Sequence, residues 1–262
     1  MPDSEFAQWL DSSQYTEQGL DSYQSVFGEH FVSPGGAETA REFIAALELS
    51  ADSRVLDVCC GLGGSALLMA EEFGLRVDGV DLSENMISRA RSTVSERGLE
   101  DRVRLALGDC LELDRPGQYD AVYSRDAFMH IADRGRLFRV LHRCLKPGGR
   151  LLFTDYCCGS PPWSEEFCNY VEQRSYHLLT LDDYQRILRD SGFQGVSSSD
   201  LSDRFIDILD RELRRIETLM PSLLEGEELK TSWLAKLKRA KSGEHRWGLF
   251  QASKAHLDEP LS

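Results

Sequence analysis

Apolar residues follow two alternating periods along most of the chain. Short apolar runs read as strands over 54–58, 76–80, 102–107, 119–123 and 150–156. Between them, apolar positions three or four apart read as amphipathic helices. One helix spans 37–48 on Ala40, Phe43, Ile44 and Leu47, and another spans 64–73. Ser83 caps a third, with Met86, Ile87, Ala90 and Val94 as its buried stripe. A fourth covers 133–145 and ends at Lys146-Pro147-Gly148-Gly149, where proline and glycine both stop helices. Residues 157–180 form an irregular stretch with prolines and aromatics. A helix over 181–190, a strand over 193–199, amphipathic segments near 201–219 and 226–241, and a strand over 246–252 complete the chain. This alternation predicts an α/β fold: a mostly parallel, seven-stranded, Rossmann-like sheet with helices on both faces. Ahead of it, Phe6, Trp9 and Leu10, then Leu20, Tyr23 and Phe27, predict two short helices. Residues 1–34 are read as a helical lid and 35–262 as the core, with acceptor-binding insertions near 157–180 and 201–243.

The stretch Val55–Gly64, VLDVCCGLGG, is where chemistry enters. It is a buried strand that ends in an acid and turns through glycines into a helix. Such a turn lets a nucleotide-like ligand approach the backbone and the positive end of the helix dipole. A phosphate-binding loop of the GK[ST] kind is excluded, because Gly64 is followed by Ser65-Ala66. The looser dinucleotide pattern fits, but three acids decide against it. Asp57, just before the glycines, repels a pyrophosphate and suits a cationic methionine tail. Asp81, twenty residues after Gly61, can accept from ribose hydroxyls. Asp109 is placed to accept from an adenine amino group. All three sit at carboxyl ends of successive strands, where a parallel sheet binds its ligand.

Composition narrows the partners. A net charge of -14 opposes binding to nucleic acid or an anionic membrane. No apolar run approaches the ~20 residues that span a bilayer, and MPDSEFAQWL has no secretory pattern. The seven cysteines are odd in number and lack a C-x-x-C pair, so free thiols in a reducing cytoplasm are expected, with no metal. A monomer acting on a small molecule is the expectation.

Acceptor chemistry comes from two further clusters. Asp126 and His130, in SRDAFMH after the fourth strand, lie where acceptors meet the cofactor in such folds. Tyr156, Tyr170, Arg174 and Tyr176 bring an arginine and tyrosine hydroxyls, a set suited to phosphate. Lys236 and Lys238, in a late helical segment, can fold back over the same place.

The glycine loop, its three acids and the LKPGG turn resemble class I S-adenosylmethionine-dependent methyltransferases. One position departs: Cys59 stands where that motif carries glycine. A more specific likeness rests on WLDSSQYTEQGLDSY, FVSPGG, YSRDAFMH, LLFTDYCC, YVEQRSYHLLT, DSGF and HRWGLF, from residue 9 to about 252. Over these stretches the chain resembles the phosphoethanolamine N-methyltransferases. The resemblance implies S-adenosylmethionine as methyl donor and phosphoethanolamine or its mono- and dimethyl forms as acceptors, giving phosphocholine. It implies that Tyr15 and His130 form a dyad that closes the lid and that Asp126 engages the amine. Tyr156, Tyr170, Arg174, Tyr176 and one of Lys236 and Lys238 would hold the phosphate. Tyr23 and Ser33 would touch the cofactor or the lid, and Asp57, Cys59, Gly61, Asp81, Asp109, Cys110 and Arg125 would face the cofactor.

Three rival readings differ in class. Another small amine, such as a 5-thiohistidine, could use Arg174 but would not need the late lysine. A nucleic-acid methyltransferase is suggested faintly by Ser160-Pro161-Pro162-Trp163, which follows the fifth strand rather than the fourth in a strongly acidic chain. A non-catalytic module of the same fold is opposed by the intact acids and the Asp126/His130 pair.

Overall fold

A computed structural model describes residues 3–219 and 224–256. Residues 1–2 of the expected lid, and 220–223 and 257–262 of the expected core, lie outside the described residues. Seven strands form one sheet in the order β3-β2-β1-β4-β5-β7-β6. They are β1 (Arg54–Val58), β2 (Arg76–Asp81), β3 (Val103–Leu107), β4 (Tyr119–Arg125), β5 (Leu145–Cys158), β6 (Gln194–Asp200) and β7 (His245–Ser253). The first five pair in parallel, while β7 runs antiparallel between β5 and β6. The mostly parallel seven-stranded sheet expected from the alternation is therefore observed.

Side chains on successive strand positions serve opposite faces. Val55 joins the core packed by Phe43, Met69, Ile87 and Trp247. Leu56 and Val58 join the core of Phe138, Leu141, Phe153, Tyr184 and Phe250. Phe153 stacks on Phe250 at 4.7 Å between ring centroids. Truncating such a fully buried ring costs about 3–5 kcal/mol. Asp57 lies on the Val55 side, so a carboxylate enters the apolar layer at the tip of β1.

The helices that cover the sheet are α3 (Gly36–Ala45), α4 (Gly64–Glu71), α5 (Glu84–Glu96), α6 (Arg134–Cys144) and α8 (Leu181–Asp190). Ser83 accepts from Met86 N and caps α5, as its residue type predicts. Most element ends shift by a few residues from the sequence reading, and two shifts bear on the site and the sheet. β4 runs two residues past Tyr123, carrying Arg125 into the sheet. The Lys146–Gly149 turn lies within β5, because Leu145 pairs with Tyr119 across an irregularity in the ladder.

Three helices outside the alternation build the walls of the site. The stretch 157–180 is not wholly irregular: it holds α7 (Glu165–Gln173), capped by Ser164 on Phe167 N. The later amphipathic segments are α9 (Ser202–Leu219) and α10 (Leu224–Lys241). No helix among the described residues is long and apolar enough to cross a membrane.

The N-terminal segment consists of α1 (Asp3–Trp9), a π-turn over Leu10–Gln14, and α2 (Glu17–Phe27). It is tied to the start of α5. The Asp11 carboxylate accepts from Ser83 Oγ and from Glu84 N at 3.1 Å. An anion there also suits the helix dipole. Asn85 Nδ2 donates to Asp11 O and Tyr15 O. Arg89 pairs with Glu17 and Asp21. These ties hold Tyr15 over the carboxyl edge of the sheet.

Candidate active site

Two adjoining cavities open at that edge. The larger, of roughly 670 Å³, is lined by Tyr15, Ser33, Cys59, Gly61, Asp81, Asp109, Cys110, Arg125, Asp126, His130 and Tyr176, among others. A small recess of roughly 40 Å³ adds Asp57 beside Ser33, Cys59, Gly61 and Arg125. All of the residues that were expected to face the cofactor, or to touch it or the lid, are therefore brought together, except Tyr23. A shallower groove of roughly 720 Å³ along α6 contains none of the candidate residues.

The glycine loop needs its glycines. Gly61 and Gly63 have φ of 55° and 79°, in the left-handed region. A Cβ on Gly64 would lie 2.5 Å from His30 O, where the chain after α2 closes on the loop. Cys59 also has φ 56°, a conformation that glycine adopts without strain and a cysteine does not. Its thiol hydrogen-bonds Cys110, and that contact together with burial pushes the thiol well above its usual range.

The acids divide the work. Asp57 is 3% exposed and its Oδ2 has no hydrogen-bond partner. Burial, with Asp81 nearby, pushes its carboxyl up to about 8, against the pull of Arg125. Asp81 accepts from Gly61 N at 2.8 Å and Ser83 N at 2.9 Å, so it ties the glycine loop to the start of α5. Asp109 accepts from Leu111 N at 2.8 Å and caps a short 3-10 turn while lining the cavity. Arg125 lines both spaces and donates to Pro34 O and Gly36 O, fixing the Ser33 turn.

The second cavity, of roughly 60 Å³, is lined by Tyr15, Tyr23, Asp126, Tyr156, Tyr170, Arg174, Tyr176, Trp233, Lys236 and Arg239. Tyr15, Val32, Asp126 and Tyr176 belong to both cavities and form the wall between them. Asp126 has φ 51° and is 9% exposed. Its Oδ1 accepts from Trp247 Nε1 at 2.7 Å, whereas its Oδ2 is buried without a hydrogen-bond partner. Burial, with Arg174 and Arg239 close by, pulls the Lys236 ammonium down to about 8, against the pull of Glu212. Burial keeps the hydroxyls of Tyr156 and Tyr176 protonated by raising both well above the usual phenol range.

The geometry narrows three of these expectations. Lys238 does not reach this cavity: it is 71% exposed and paired with Glu166 on α7, because only every third or fourth residue of α10 faces inward. Lys236 is the late lysine at the site, with its Nζ 5.5 Å from the Tyr156 ring centroid. Tyr23 lines the small cavity and hydrogen-bonds Arg174, since α2 presents it toward Trp233 and away from the glycine loop. Finally, Tyr15 and His130 share a cavity but are not hydrogen-bonded. Both His130 ring nitrogens are buried without partners. Burial, reinforced by Arg134 and Arg174, holds that imidazole neutral, down to about 3.

Four features around the site escaped the sequence reading. Arg239 lies three residues after Lys236, a spacing that did place it on the same face. Trp247 sits in the HRWGLF stretch, where nothing in the sequence pairs it with Asp126. Glu212 accepts from Gly35 N at 3.0 Å and Trp233 Nε1 at 2.9 Å, linking the Ser33 turn to α10. A buried chain runs from Asp155 through Tyr184 OH to Arg134, whose Nη2 donates to His177 O at 3.0 Å. It fastens the segment carrying Arg174 and Tyr176. These contacts span 21 to 177 residues of sequence, beyond any local pattern.

The chain is similar to several known proteins. A sequence model of a methyltransferase domain matches residues 55–149. Phosphoethanolamine N-methyltransferase 3 of Arabidopsis thaliana is 41% identical over 259 residues, covering 96% of this chain and 52% of that protein. The chain thus spans about half the length of the plant relatives it matches. Phosphoethanolamine N-methyltransferase 2 of Haemonchus contortus, solved with phosphomonomethylethanolamine and S-adenosylhomocysteine, superposes with a TM-score of 0.92 at 36% identity, covering 96% of this chain and 60% of that chain. The phosphoethanolamine N-methyltransferase of Plasmodium falciparum is 34% identical over 256 residues, which cover 94% of this chain and 95% of that protein. With that identity over nearly the full length of both proteins, the chain belongs to the phosphoethanolamine N-methyltransferase family.

Proposed function

We propose that the chain transfers methyl groups from S-adenosylmethionine to the nitrogen of phosphoethanolamine or its mono- and dimethyl forms. The observation that carries this reading is Asp126, which lies in the wall between the two cavities with one buried carboxylate oxygen that accepts no hydrogen bond. An acceptor nitrogen held there has an adenosyl-sized space on one side and a cluster of cations and phenols on the other. The residues present fit the donor. The orphaned Asp57 Oδ2 suits a methionine ammonium, Asp81 has acceptor capacity for ribose, and Gly61 permits close approach. Bound S-adenosylmethionine supplies a methyl carbon activated by a sulfonium.

The chain's own residues must present a free amine. With a lysine-like pKa, deprotonating the acceptor at neutral pH costs about 4.6 kcal/mol. Asp126 Oδ2 orients the ammonium while Trp247 holds the other oxygen. His130 is held neutral, with both ring nitrogens free of hydrogen bonds, so it can accept a hydrogen bond from the ammonium or from a water that carries its proton away. Burial is the main reason that imidazole stays neutral, with Arg134 and Arg174 adding to it, so a phosphate on Arg174 relieves only a minor part of the effect. Burial holds Tyr15 as a phenol, so it passes or donates a hydrogen bond rather than acting as the base. Arg174, Lys236, Tyr156, Tyr170 and Tyr176 bind the phosphate and fix the nitrogen in line with the methyl group, so positioning supplies most of the rate. The quaternary product carries no proton to remove and is held by tyrosine faces. A thiohistidine brings a single carboxylate and leaves Lys236 unused.

This reading takes the chain as a cytoplasmic monomer acting on a free small molecule. It is tested by Asp126→Ala. Turnover should be lost while S-adenosylhomocysteine still binds. Undiminished turnover would remove the assignment.

A further inference from the structure

Arg239 is buried and forms no ion pair; Glu166 on α7 attracts it only from a distance. It is 7% exposed, its Cζ lies 3.8 Å from the Tyr170 ring centroid, and its Nε has no hydrogen-bond partner. Glu166, the nearest acid on α7, is already paired with Lys238. Arg239 shares the 60 Å³ cavity with Arg174 and Lys236. Among the described residues none of these three is in an ion pair. The carboxylate in the cavity wall, Asp126, has Arg125 Nη2 3.7 Å from its Oδ2.

Three buried cations in one small space repel one another and give up hydration. That arrangement is stabilised when an anion of matching charge enters. With the buried Glu212 set against Lys236, two cations remain in excess; a monoanion compensates half of that excess and a dianion matches it. The rigid guanidinium fork of Arg239 also offers planar, paired donors that a lysine does not. Tyr170, stacked beneath it, keeps the fork aimed into the cavity.

We propose that Arg239 is a specificity-determining residue: with Arg174 and Lys236 it forms a three-cation clamp that selects a dianionic phosphate monoester over a monoanion of the same shape. This deepens the functional reading above and rests on it for the choice of ester.

The test uses calorimetry on the full chain loaded with S-adenosylhomocysteine, well above the second ionisation of a phosphate monoester, about pH 6. Phosphoethanolamine is compared with ethanolamine O-sulfate, a monoanion of the same tetrahedral shape. The wild-type chain should prefer the phosphate ester. Arg239→Gln should lose on the order of tenfold in affinity for the phosphate ester and much less for the sulfate ester. Arg239→Lys, which keeps the charge, should retain most of the preference, and Lys238→Ala should leave it unchanged. Equal weakening for both esters in Arg239→Gln, loss of preference in Arg239→Lys, or no preference in the wild type would each overturn the clamp. Preferential binding without methylation would overturn the functional reading and leave the clamp standing. Methylation with the preference intact in Arg239→Gln would do the reverse.

Discussion

The indole N–H of Trp247 donates to Asp126 Oδ1 at 2.7 Å, joining residues 121 positions apart. The bond occupies one carboxylate oxygen and leaves Oδ2 without a hydrogen bond, 3.7 Å from Arg125 Nη2 in the wall between the cavities. Trp247 is fully buried and packs edge-on against Phe43, so the donor is held by the core itself. Trp247→Phe keeps most of the packing and removes the donor. It should lower kcat by about tenfold or more and cost about 1–3 kcal/mol of stability. S-adenosylhomocysteine affinity should stay unchanged. Steady-state kinetics and denaturant melts check both.

Asp57 makes cofactor binding pH-dependent. Its carboxyl is pushed up to about 8 in the folded chain, against an ordinary value of 3.8. A cationic ammonium beside it favours the carboxylate, so binding below about pH 8 should release close to one proton. Affinity should tighten as pH rises toward that value. Calorimetry in buffers of different ionisation enthalpy measures the release, and Asp57→Asn should abolish it. The same shift sets a stability trend. The raised carboxyl favours the folded state below pH 3.8, and that contribution is lost as pH rises through 8. Asp57→Asn should therefore gain stability relative to wild type at alkaline pH.

Cys59 occupies a backbone conformation suited to glycine, at φ 56°. Cys59→Gly should relieve strain of about 1 kcal/mol, seen as a higher denaturation midpoint with an unchanged slope. A lower midpoint would mean that the thiol contact with Cys110 outweighs the strain.

Lys236 and Lys238 are separated by a single residue yet face opposite ways. Lys236→Met should raise KM for the phosphorylated acceptor by about tenfold or more, since it removes a charge-assisted contact. Lys238→Ala removes an exposed pair with Glu166 and should leave KM within error. Initial-rate measurements on the two variants separate them.

Much of this was legible because periodicity and strand-tip chemistry are local. The β1 tip, its glycines, Asp81 and Asp109 each belong to a short strand-turn-helix unit, and the sheet topology then places them together. The acceptor side was less legible. Which late lysine faces inward depends on the rotation of α10, which is set by Trp233 packing on Tyr23 and Phe27. Asp126 and His130 are four residues apart in the sequence. In the structure they share a cavity wall through a strained residue and a 3-10 turn over Phe128–His130. Trp247, Glu212 and the Asp155–Tyr184–Arg134 chain act through long-range hydrogen bonds, for which one sequence carries no signal.

The central claim is methylation of a phosphorylated ethanolamine. Its most direct test incubates the wild-type chain with isotopically labelled S-adenosylmethionine and, separately, phosphoethanolamine, its mono- and dimethyl forms, unphosphorylated ethanolamine and a 5-thiohistidine, then weighs the products. Label should appear on at least one of the phosphorylated bases, and far less on ethanolamine or the thiohistidine. Label on ethanolamine or the thiohistidine in preference to every phosphorylated base would contradict it.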